Sequence, residues 1–387
     1  MNIIIYGIGK LSDRIYSMLI ERKHKVVGYT DSYSKINIYN GIRFFKLIDL
    51  QDISYDYIII TTRSREITWE IMNTLVNKYG IEKKKVIPYS IWEKSEIVEN
   101  VEITSDLEGI ILGNSHAYFG FLPPCLNRQF VNLACPSQDI YYNCKAFEKF
   151  INKNVDLINK MKVIVFDLYD YNFFNVDLSR TKGLFDYFAC GGLIDKCNYE
   201  HNVHYSKSFE KQLFEEKYMI TQKEESIKVI MSQLFGNYVG SSFQELQNNI
   251  YNRENFISEK EPLPVSKLEE AIVENRYEQT INENKDILFS FVNYVHLLFP
   301  KCKIVFTLIP RYRSMEKFFP LLMKDWQDEF MKTLNDLLTN EYVYFINYKN
   351  VAEIKDDYHL YFDINHLNTI GGKCLSSILN EDLKKII

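Results

Sequence analysis

Three residues that lie far apart in the chain have the side chains of a nucleophilic active site. Ser115 follows the apolar run Ile110–Leu112, within the stretch Gly-Asn-Ser-His. Asp363 and His366 form an Asp-x-x-His sequence near the C-terminus. The apolar run predicts a strand buried on both faces, and residues beyond the carboxyl end of such a strand face the ligand site of an open α/β sheet. A histidine can accept the proton of a serine hydroxyl while a carboxylate orients its ring, so these residues predict a Ser-His-Asp hydrolase or acyltransferase.

The Asp-x-x-His loop is short enough to hold the carboxylate and the imidazole on one turn. We expect Asp363 to accept the Nδ1–H of His366, so that Nε2 faces the serine. His359 is a rival base, but nothing near it in the sequence would orient its ring. His116, next to the nucleophile, is expected to point to the opposite side or to pack against the sheet. The competing interpretation is that both motifs serve folding alone, as a strand-to-helix turn and a helix cap.

Together, the Gly-Asn-Ser-His stretch and the late Asp-x-x-His resemble the SGNH (GDSL-type) esterase and acyltransferase superfamily, especially bacterial polysaccharide-modifying members. The likeness covers about residues 105–387, although the middle third is not typical of the family. It implies a three-layer α/β/α domain and an oxyanion site formed by backbone N–H groups of Ser115 and of a glycine at the end of the second strand. Ser137 stands at that glycine position here. Its N–H can still donate, but a positive φ would strain it.

The superfamily also carries Gly-x-Asn-Asp after its third strand, and that motif is missing here. The expected strand Lys162–Leu168 is followed instead by Tyr169-Asp170-Tyr171-Asn172. Asn172 is the nearby candidate for the third oxyanion donor, with a strand-end turn residue as its other interpretation. The hydroxyl of Tyr169 is an alternative donor. The missing motif also supports a different function, that of a catalytically inactive SGNH-like binding or scaffold protein.

Substrate contacts are expected at the same edge of the sheet. Arg311 and Arg313 follow the predicted strand Lys303–Ile309, where guanidinium groups could bind a phosphate or a carboxylate. The other interpretation is a solvated loop. Asn114 and Gln138 adjoin the two expected oxyanion donors and are predicted to contact the substrate.

The N-terminal stretch has the pattern of a nucleotide-binding unit. A strand runs into the turn Gly7-x-Gly9-x-x-Ser12, and after a helix a second strand, Lys25–Thr30, ends at Asp31. The glycine turn would free backbone N–H groups for a phosphate, and the acid would bind a ribose hydroxyl. The stretch resembles the small Rossmann-like domains of bacterial sugar-modifying proteins, which implies a nucleotide or sugar nucleotide. A scaffold or dimerisation domain is the alternative; an NAD-dependent oxidoreductase ranks last because no Tyr-Lys or Cys-His set accompanies the turn.

These patterns predict two α/β domains. The first, 1–92, is a Rossmann-like parallel sheet; a linker at 93–105 follows, and 106–387 form an SGNH-type α/β/α domain. A helical insertion at about 184–283 is expected to cover the active-site mouth, with helices over 208–218, 223–235 and 265–277. Within it, His201 and His204 lack partners at metal-ligand spacing, so we expect a surface turn and no metal.

The composition narrows the class of partner. A net charge of −5 gives no footprint for nucleic acid, and no run approaches the ~20 apolar residues of a membrane span. Seven cysteines without a Cys-x-x-Cys pair suit a reducing compartment, and the first ten residues resemble a strand more than a signal peptide. We therefore expect a cytoplasmic enzyme that acts on a small molecule or a glycan. The specific expectation is a nucleotide- or lipid-linked sugar. The serine chemistry needs no cofactor; acyl-CoA could be the acyl donor, and an oligomer is compatible with the sequence.

Overall fold

The computed structural model describes residues 1–62, 65–89, 106–155, 161–178, 187, 192–193, 224–235, 276–316 and 324–387. The described residues divide into two compact units. One falls within Met1–Ser95 and Glu215–Ser241, and the other within Glu96–Phe214 and Ser242–Ile387. The predicted linker, His201, His204, the helix predicted over 208–218 and residues 265–275 of the helix predicted over 265–277 lie outside the described residues.

Both units are built from parallel strands that alternate with helices. The strands are β1 (Asn2–Tyr6), β2 (Lys25–Thr30), β3 (Ile38–Tyr39), β4 (Ile42–Phe45), β5 (Tyr57–Ile60), β6 (Val86–Pro88), β7 (Gly109–Leu112), β8 (Phe130–Asn132), β9 (Val163–Asp167), β10 (Lys303–Leu308) and β11 (Val343–Asn347). The α-helices are α1 (Lys10–Glu21), α2 (Arg65–Asn73), α3 (Ser115–Gly120), α4 (Ile140–Lys153), α5 (Glu224–Phe235), α6 (Glu278–Leu298), α7 (Lys324–Leu337), α8 (Ala352–Lys355) and α9 (Thr369–Ile386). The predicted α/β class, with two mostly parallel sheets, is confirmed.

The first unit has the strand order β3-β4-β2-β1-β5-β6 in the part that the structure describes. All neighbours pair in parallel except β3 and β4, which form an antiparallel edge. From β4 to β6 this is the order of a dinucleotide-binding sheet, with its reversal between β1 and β5. The apolar runs Ile3–Ile5 and Ile58–Ile60 are fully buried, as expected for parallel strands covered on both faces. The edge strands β3 and β4 were not predicted.

Helix α5 completes the core of the first unit. Its apolar side chains Met231, Leu234 and Phe235 are buried in one cluster with residues of β1, β2, β5, β6 and α1. The ring of Phe235 lies 5.3 Å from that of Tyr89, and the backbone carbonyl of Gln233 lies 2.9 Å from His24 Nε2. The sequence analysis assigned this helix to the insertion of the second domain. It packs on the first unit instead, because its i, i+3, i+4 apolar stripe covers the sheet face beside α1.

The second unit has the strand order β11-β10-β9-β7-β8, and every neighbouring pair described is parallel. Numbered from its first strand, this is the doubly wound order 2-1-3-4-5, whose reversal lies between β7 and β9. Ligands of such sheets bind beyond the carboxyl ends of the strands at that reversal. Strands β7 and β9 are buried along their whole length, so they form a rigid base for the residues that follow them. Among the helices that the structure describes, none is long and apolar enough to cross a membrane.

Candidate active site

The turn after β7 places Ser115 at the start of a helix. Gly113 has a φ of +145°, and a Cβ there would lie 2.6 Å from the Cβ of Ala117, so a larger residue would clash. Asn114 then caps α3, since its side-chain oxygen accepts the N–H of His116 at 2.9 Å. Asn114 thus has a structural role, holding Ser115 at the first helical position, and its contact with the substrate stays a prediction.

The serine, the histidine and the aspartate lie in one line of hydrogen bonds. His366 Nε2 lies 2.8 Å from Ser115 Oγ. On the other side of the ring, Nδ1 lies 2.9 Å and 3.0 Å from the two carboxylate oxygens of Asp363. With its Nδ1–H donated to the carboxylate, the imidazole offers the Nε2 lone pair to the serine hydroxyl. The structure thus brings together the three residues that the sequence analysis selected as catalytic.

The carboxylate of Asp363 is held by its own loop. Its Oδ1 also accepts the backbone N–H groups of Asn365 and His366, at 2.7 Å and 2.8 Å. Burial raises the pKa of Asp363, but the hydrogen bonds and charge of His366 and the two backbone donors outweigh this effect, so the pKa lies below its ordinary value. The carboxylate is therefore ionised wherever a histidine base would be needed.

Aromatic rings enclose the imidazole of His366. Phe362 stacks on it with ring centroids 5.3 Å apart and an interplanar angle of 7°. Phe119 and His116 contact it edge-on, at 5.6 Å and 5.2 Å. These contacts restrict the ring to the orientation that meets the serine. His359, the rival base, is exposed. Its ring packs on that of Tyr358, with ring centroids 3.9 Å apart, so it is directed towards its sequence neighbour.

Two glycines at the start of α9 allow the distant segments to meet. A Cβ on Gly371 would lie 2.2 Å from the carbonyl oxygen of Leu360, and one on Gly372 would lie 2.5 Å from that of Phe119. The helix can therefore approach both the loop that carries His366 and the helix that begins at Ser115. Such close contact positions His366 against Ser115.

The loop after β8 brings Ser137 towards the turn of the nucleophile. Its neighbour Cys135 donates its N–H to the carbonyl of Gly113 at 3.3 Å. Ser137 has a φ of +63°, the left-handed conformation that glycine tolerates best, as its position in the motif suggested. Within the described residues, the N–H groups of Ser115 and Ser137 donate no hydrogen bond. They are the donors that a developing oxyanion would require.

Gln138 supports this loop from within. It is 1% exposed, and its side-chain NH2 donates to the carbonyls of Gly113 and Leu133, both at 3.2 Å, and to Asn143 Oδ1 at 2.6 Å. Asn143 in turn accepts the N–H of Gly113 at 2.7 Å. Gln138 thus ties the ends of β7 and β8 to α4, and its contact with the substrate stays a prediction.

The residues that follow β9 include Asn172, the predicted third oxyanion donor, and Tyr169, the alternative donor. Asn172 is buried, and its backbone carbonyl accepts the N–H of Asn175 at 2.9 Å, as part of a 3-10 turn. Tyr169 has a φ of +61°, and its ring lies 4.9 Å from that of His116. Of the two expected positions for His116, the structure shows a ring that is buried and packed on Tyr169 after β9, not one that turns to the opposite side. Its ring lies between the imidazole of His366 and the residues that follow β9.

Arg311 is a buried structural cation. It is 1% exposed, pairs through Nη1 with the carboxylate of Asp170, and lies with its guanidinium carbon 4.7 Å from the centre of the Tyr169 ring. Lys349 joins the same carboxylate at 3.3 Å and also contacts Glu316 at 3.1 Å. Neither the predicted substrate contact nor the alternative of a solvated loop describes this arginine, because its charge is matched inside the protein.

Burial and charge pairing shift the pKa values of three buried acids of the second unit in different directions. Burial raises the pKa of Asp170, but Arg311 and Lys349 outweigh burial, so this pKa is below its ordinary value. Burial raises the pKa of Asp167 to about 7 and that of Asp139 to about 7. Asp139 caps α4 through the N–H of Tyr142 at 2.9 Å.

Arg313, by contrast, is exposed and lines a pocket of about 270 Å³. The pocket lies at the carboxyl ends of β9, β10 and β11, the sheet edge that also carries Ser115. Its other lining residues are Tyr171, Glu316, Gln327, Lys349, Asn350, Lys355 and Asp356. A mixed set of charges with an accessible guanidinium can accept a polar anionic group, and the binding of such a group by Arg313 stays a prediction.

The glycine turn of the first unit has the backbone of a phosphate site. Gly7 and Gly9 have φ values of +102° and +132°, and no side chain caps the N-terminus of α1. The buried hydroxyl of Ser12 donates to the carbonyl of Gly9 at 2.7 Å, which fits serine into the third glycine position. Asp31 follows β2 and accepts the N–H groups of Tyr33 and Ser34 through one oxygen, at 2.7 Å and 3.2 Å. Both of these hydrogen bonds use Oδ1 of Asp31, and the contact of these residues with a nucleotide stays a prediction.

The aromatic enclosure was missed by sequence reasoning. Phe119 lies one helical turn after Ser115, and Phe362 directly precedes Asp363, so their proximity to the motifs was the available signal. In the part of the chain that the structure describes, no three His, Cys, Asp or Glu side chains are grouped as metal ligands.

Comparison with known proteins gives one partial match. Residues 1–87 match a family model described as C2185-like, N-terminal. The matched region corresponds to the first unit through β6, and it is less than half of the chain. No curated protein that was compared shows significant similarity to the sequence.

Proposed function

We propose that this chain is a serine-dependent acyl-ester hydrolase or O-acyltransferase of the SGNH type that acts on a carbohydrate. The observation that carries the proposal is the line of hydrogen bonds from Ser115 through His366 to Asp363, with distances of 2.8 Å and 2.9 Å. A buried β7, a glycine turn and a helix start present the serine at the reversal point of the sheet. Within the described residues the N–H groups of Ser115 and Ser137 donate no hydrogen bond, and together with the Ser-His-Asp line they would supply the parts that acyl transfer requires.

The reaction would proceed through an acyl-enzyme. Ser115 Oγ attacks the acyl carbonyl while His366 Nε2 takes the hydroxyl proton, and the N–H groups of Ser115 and Ser137 stabilise the tetrahedral oxyanion. His366 then returns the proton to the departing alcohol, or to the thiolate if acyl-CoA is the donor. Water or a sugar hydroxyl attacks the acyl-enzyme in the second half, with His366 again as base. Hydrolysis and transfer therefore use the same residues.

The first unit supports a sugar that carries a nucleotide or a lipid phosphate as the substrate. Its glycine turn and Asp31 fit a nucleotide, and the exposed guanidinium of Arg313 in the second unit suits an anionic group. Such a substrate belongs to the cytoplasmic stages of cell-surface polysaccharide biosynthesis. Thermal-shift measurements with NAD, UDP-sugars and free UDP test this part. A stabilisation that Asp31→Ala removes would support it, and no shift with any nucleotide would end the nucleotide assignment.

A fluorophosphonate probe tests the nucleophile directly. We expect covalent labelling of the wild type, none of Ser115→Ala, and strongly slowed labelling of His366→Ala, because the probe reacts only with an activated serine. Ser314→Ala is a control at a helical serine after β10 and should label like the wild type.

The second candidate is a binding or scaffold protein that retains the fold without catalysis. Its support is the strand end of β9, where Tyr171 replaces the amide donor of the family motif and its hydroxyl is engaged with Asn347 at 3.3 Å. A folded protein that resists the probe and hydrolyses no acetyl ester would favour this candidate over the enzyme.

A further inference from the structure

His116 has an unusual position for a residue that neither the triad nor the oxyanion pair uses. It is the second residue of α3, it is 3% exposed, and its ring contacts those of His366 at 5.2 Å and Tyr169 at 4.9 Å. Both contacts are edge-on, with interplanar angles of 78° and 68°. The imidazole therefore lies between the base and the strand end from which the family's asparagine donor is missing.

Among the described residues, neither nitrogen of this ring makes a hydrogen bond. The hydrogen bond of His116 to Asn114 uses its backbone N–H, and Nδ1 is enclosed with no hydrogen-bond partner among the described residues. An enclosed lone pair without a partner costs less than an enclosed N–H without one. We therefore assign the ring proton to Nε2. Because Nδ1 is enclosed, the ring can meet a ligand only through that Nε2–H.

The surroundings of His116 keep the ring neutral. Burial, reinforced by the positive charges of Arg311 and Lys349 and by the neighbouring His366, holds the pKa of His116 well below its usual range. Arg311 and Lys349 are themselves paired with Asp170, so the cationic side of this cluster is fixed. A neutral imidazole here is a permanent donor and does not compete with His366 for the serine proton.

We propose that His116 is a third oxyanion donor, whose Nε2–H binds the acyl oxygen of the substrate in place of the missing asparagine amide. The inference rests on the proposed acyl-transfer function and deepens it. Tyr169 and Arg311 would then act as positioning residues that hold the imidazole from behind. A donor already oriented in the free protein would stabilise the charge that develops on the acyl oxygen.

The test compares His116→Phe, which keeps a ring but removes both nitrogens, with His116→Gln, which keeps an N–H donor of similar reach. With 4-nitrophenyl acetate as the probe, we expect His116→Phe to lower kcat about 100-fold with little change in KM, as for loss of one oxyanion donor. His116→Gln should recover at least about a tenth of the wild-type kcat. The matched control His359→Phe should leave kcat unchanged, since that exposed ring stacks on Tyr358.

The outcomes separate this inference from the proposed function. Activity that survives Ser115→Ala would overturn the function itself. Ser115-dependent activity that is unchanged in His116→Phe would overturn only the donor role of His116. Should His116→Phe fail to fold, ¹⁵N NMR of the Ser115→Ala protein decides the question. A neutral ring protonated at Nε2 whose signal shifts with acetate, a mimic of the oxyanion, supports the role, and an Nδ1-protonated or acetate-insensitive ring ends it.

Discussion

Asp363 holds His366 at two levels, since its carboxylate accepts the backbone N–H at 2.8 Å and the ring Nδ1 at 2.9 Å. The backbone bond fixes the loop and the ring bond fixes the tautomer. In Asp363→Asn the amide oxygen can still accept the backbone groups, but its NH2 now faces Nδ1 and favours the tautomer with the proton on Nε2. We expect kcat for 4-nitrophenyl acetate to fall at least about 100-fold without loss of folding.

The matched control for this prediction is Asp357→Asn, an exposed acid that caps a 3-10 turn through the N–H of His359. It should leave kcat unaltered. Wild-type turnover in Asp363→Asn would mean that the ring is oriented by its aromatic neighbours alone.

The left-handed backbone of Ser137 predicts an unusual gain of stability. A non-glycine residue at positive φ costs about 1–2 kcal/mol, while glycine adds about 0.5–1 kcal/mol of chain entropy to the unfolded state. Ser137→Gly should therefore raise the free energy of unfolding by up to about 1 kcal/mol in urea titrations. Because the main-chain N–H remains, kcat should stay within about twofold of wild type. Ser137→Ala keeps both the strain and the N–H; a loss of kcat in Ala but not Gly would contradict this account.

Arg311 and Arg313 both follow β10, but their substitution should have different effects: the first on stability and the second on KM. Arg311→Met leaves the buried Asp170 with Lys349 alone and should cost about 3 kcal/mol of unfolding free energy. Arg313→Ala removes an exposed side chain and should change stability by less than about 0.5 kcal/mol. It should instead raise KM for a phosphate-bearing acceptor about tenfold, with kcat nearly unchanged. An Arg311→Met protein as stable as wild type would refute the prediction for Arg311. An Arg313→Ala protein with wild-type KM for every anionic acceptor would refute the prediction for Arg313.

How much of the site could be predicted depended on how local its determinants are. The Asp-x-x-His loop places its two side chains through its own turn, and Ser115 follows a strand that its apolar run specifies. The arrangement of side chains that short motifs specify could therefore be predicted from the sequence. Arg311 was not, because its environment is set by Asp170, which lies 141 residues away. A charged residue after a strand looks the same whether its partner is a ligand or a buried carboxylate.

The assignment of helices to units was limited in the same way. The apolar stripe of α5 was recognisable, but nothing in it specifies which sheet it covers. Only the packing of Met231, Leu234 and Phe235 against the β1–β6 sheet shows the answer. The short edge strands β3 and β4 carry too few buried residues to produce a pattern, so they were missed as well.

The buried carboxyl of Asp167 predicts that stability falls as the pH rises. In the folded protein, burial raises its pKa to about 7, whereas the unfolded chain ionises near the ordinary ~3.9. Between these values the folded state holds the extra proton, so unfolding free energy is lost with increasing pH and levels off above about 7. Asp167→Asn removes this dependence while its amide oxygen can still accept the N–H of Ile309. Relative to wild type, the variant should gain about 3–4 kcal/mol between pH 4 and pH 8.

Urea midpoints measured at several pH values check the difference between the two proteins, which cancels the titration of all other groups. A constant difference between wild type and Asp167→Asn would mean that Asp167 is ionised in the folded state. Since Asp167 lies against Gly113, with its Cβ 3.0 Å from the place of a Cβ there, that charge would then lie directly beneath the turn of the nucleophile.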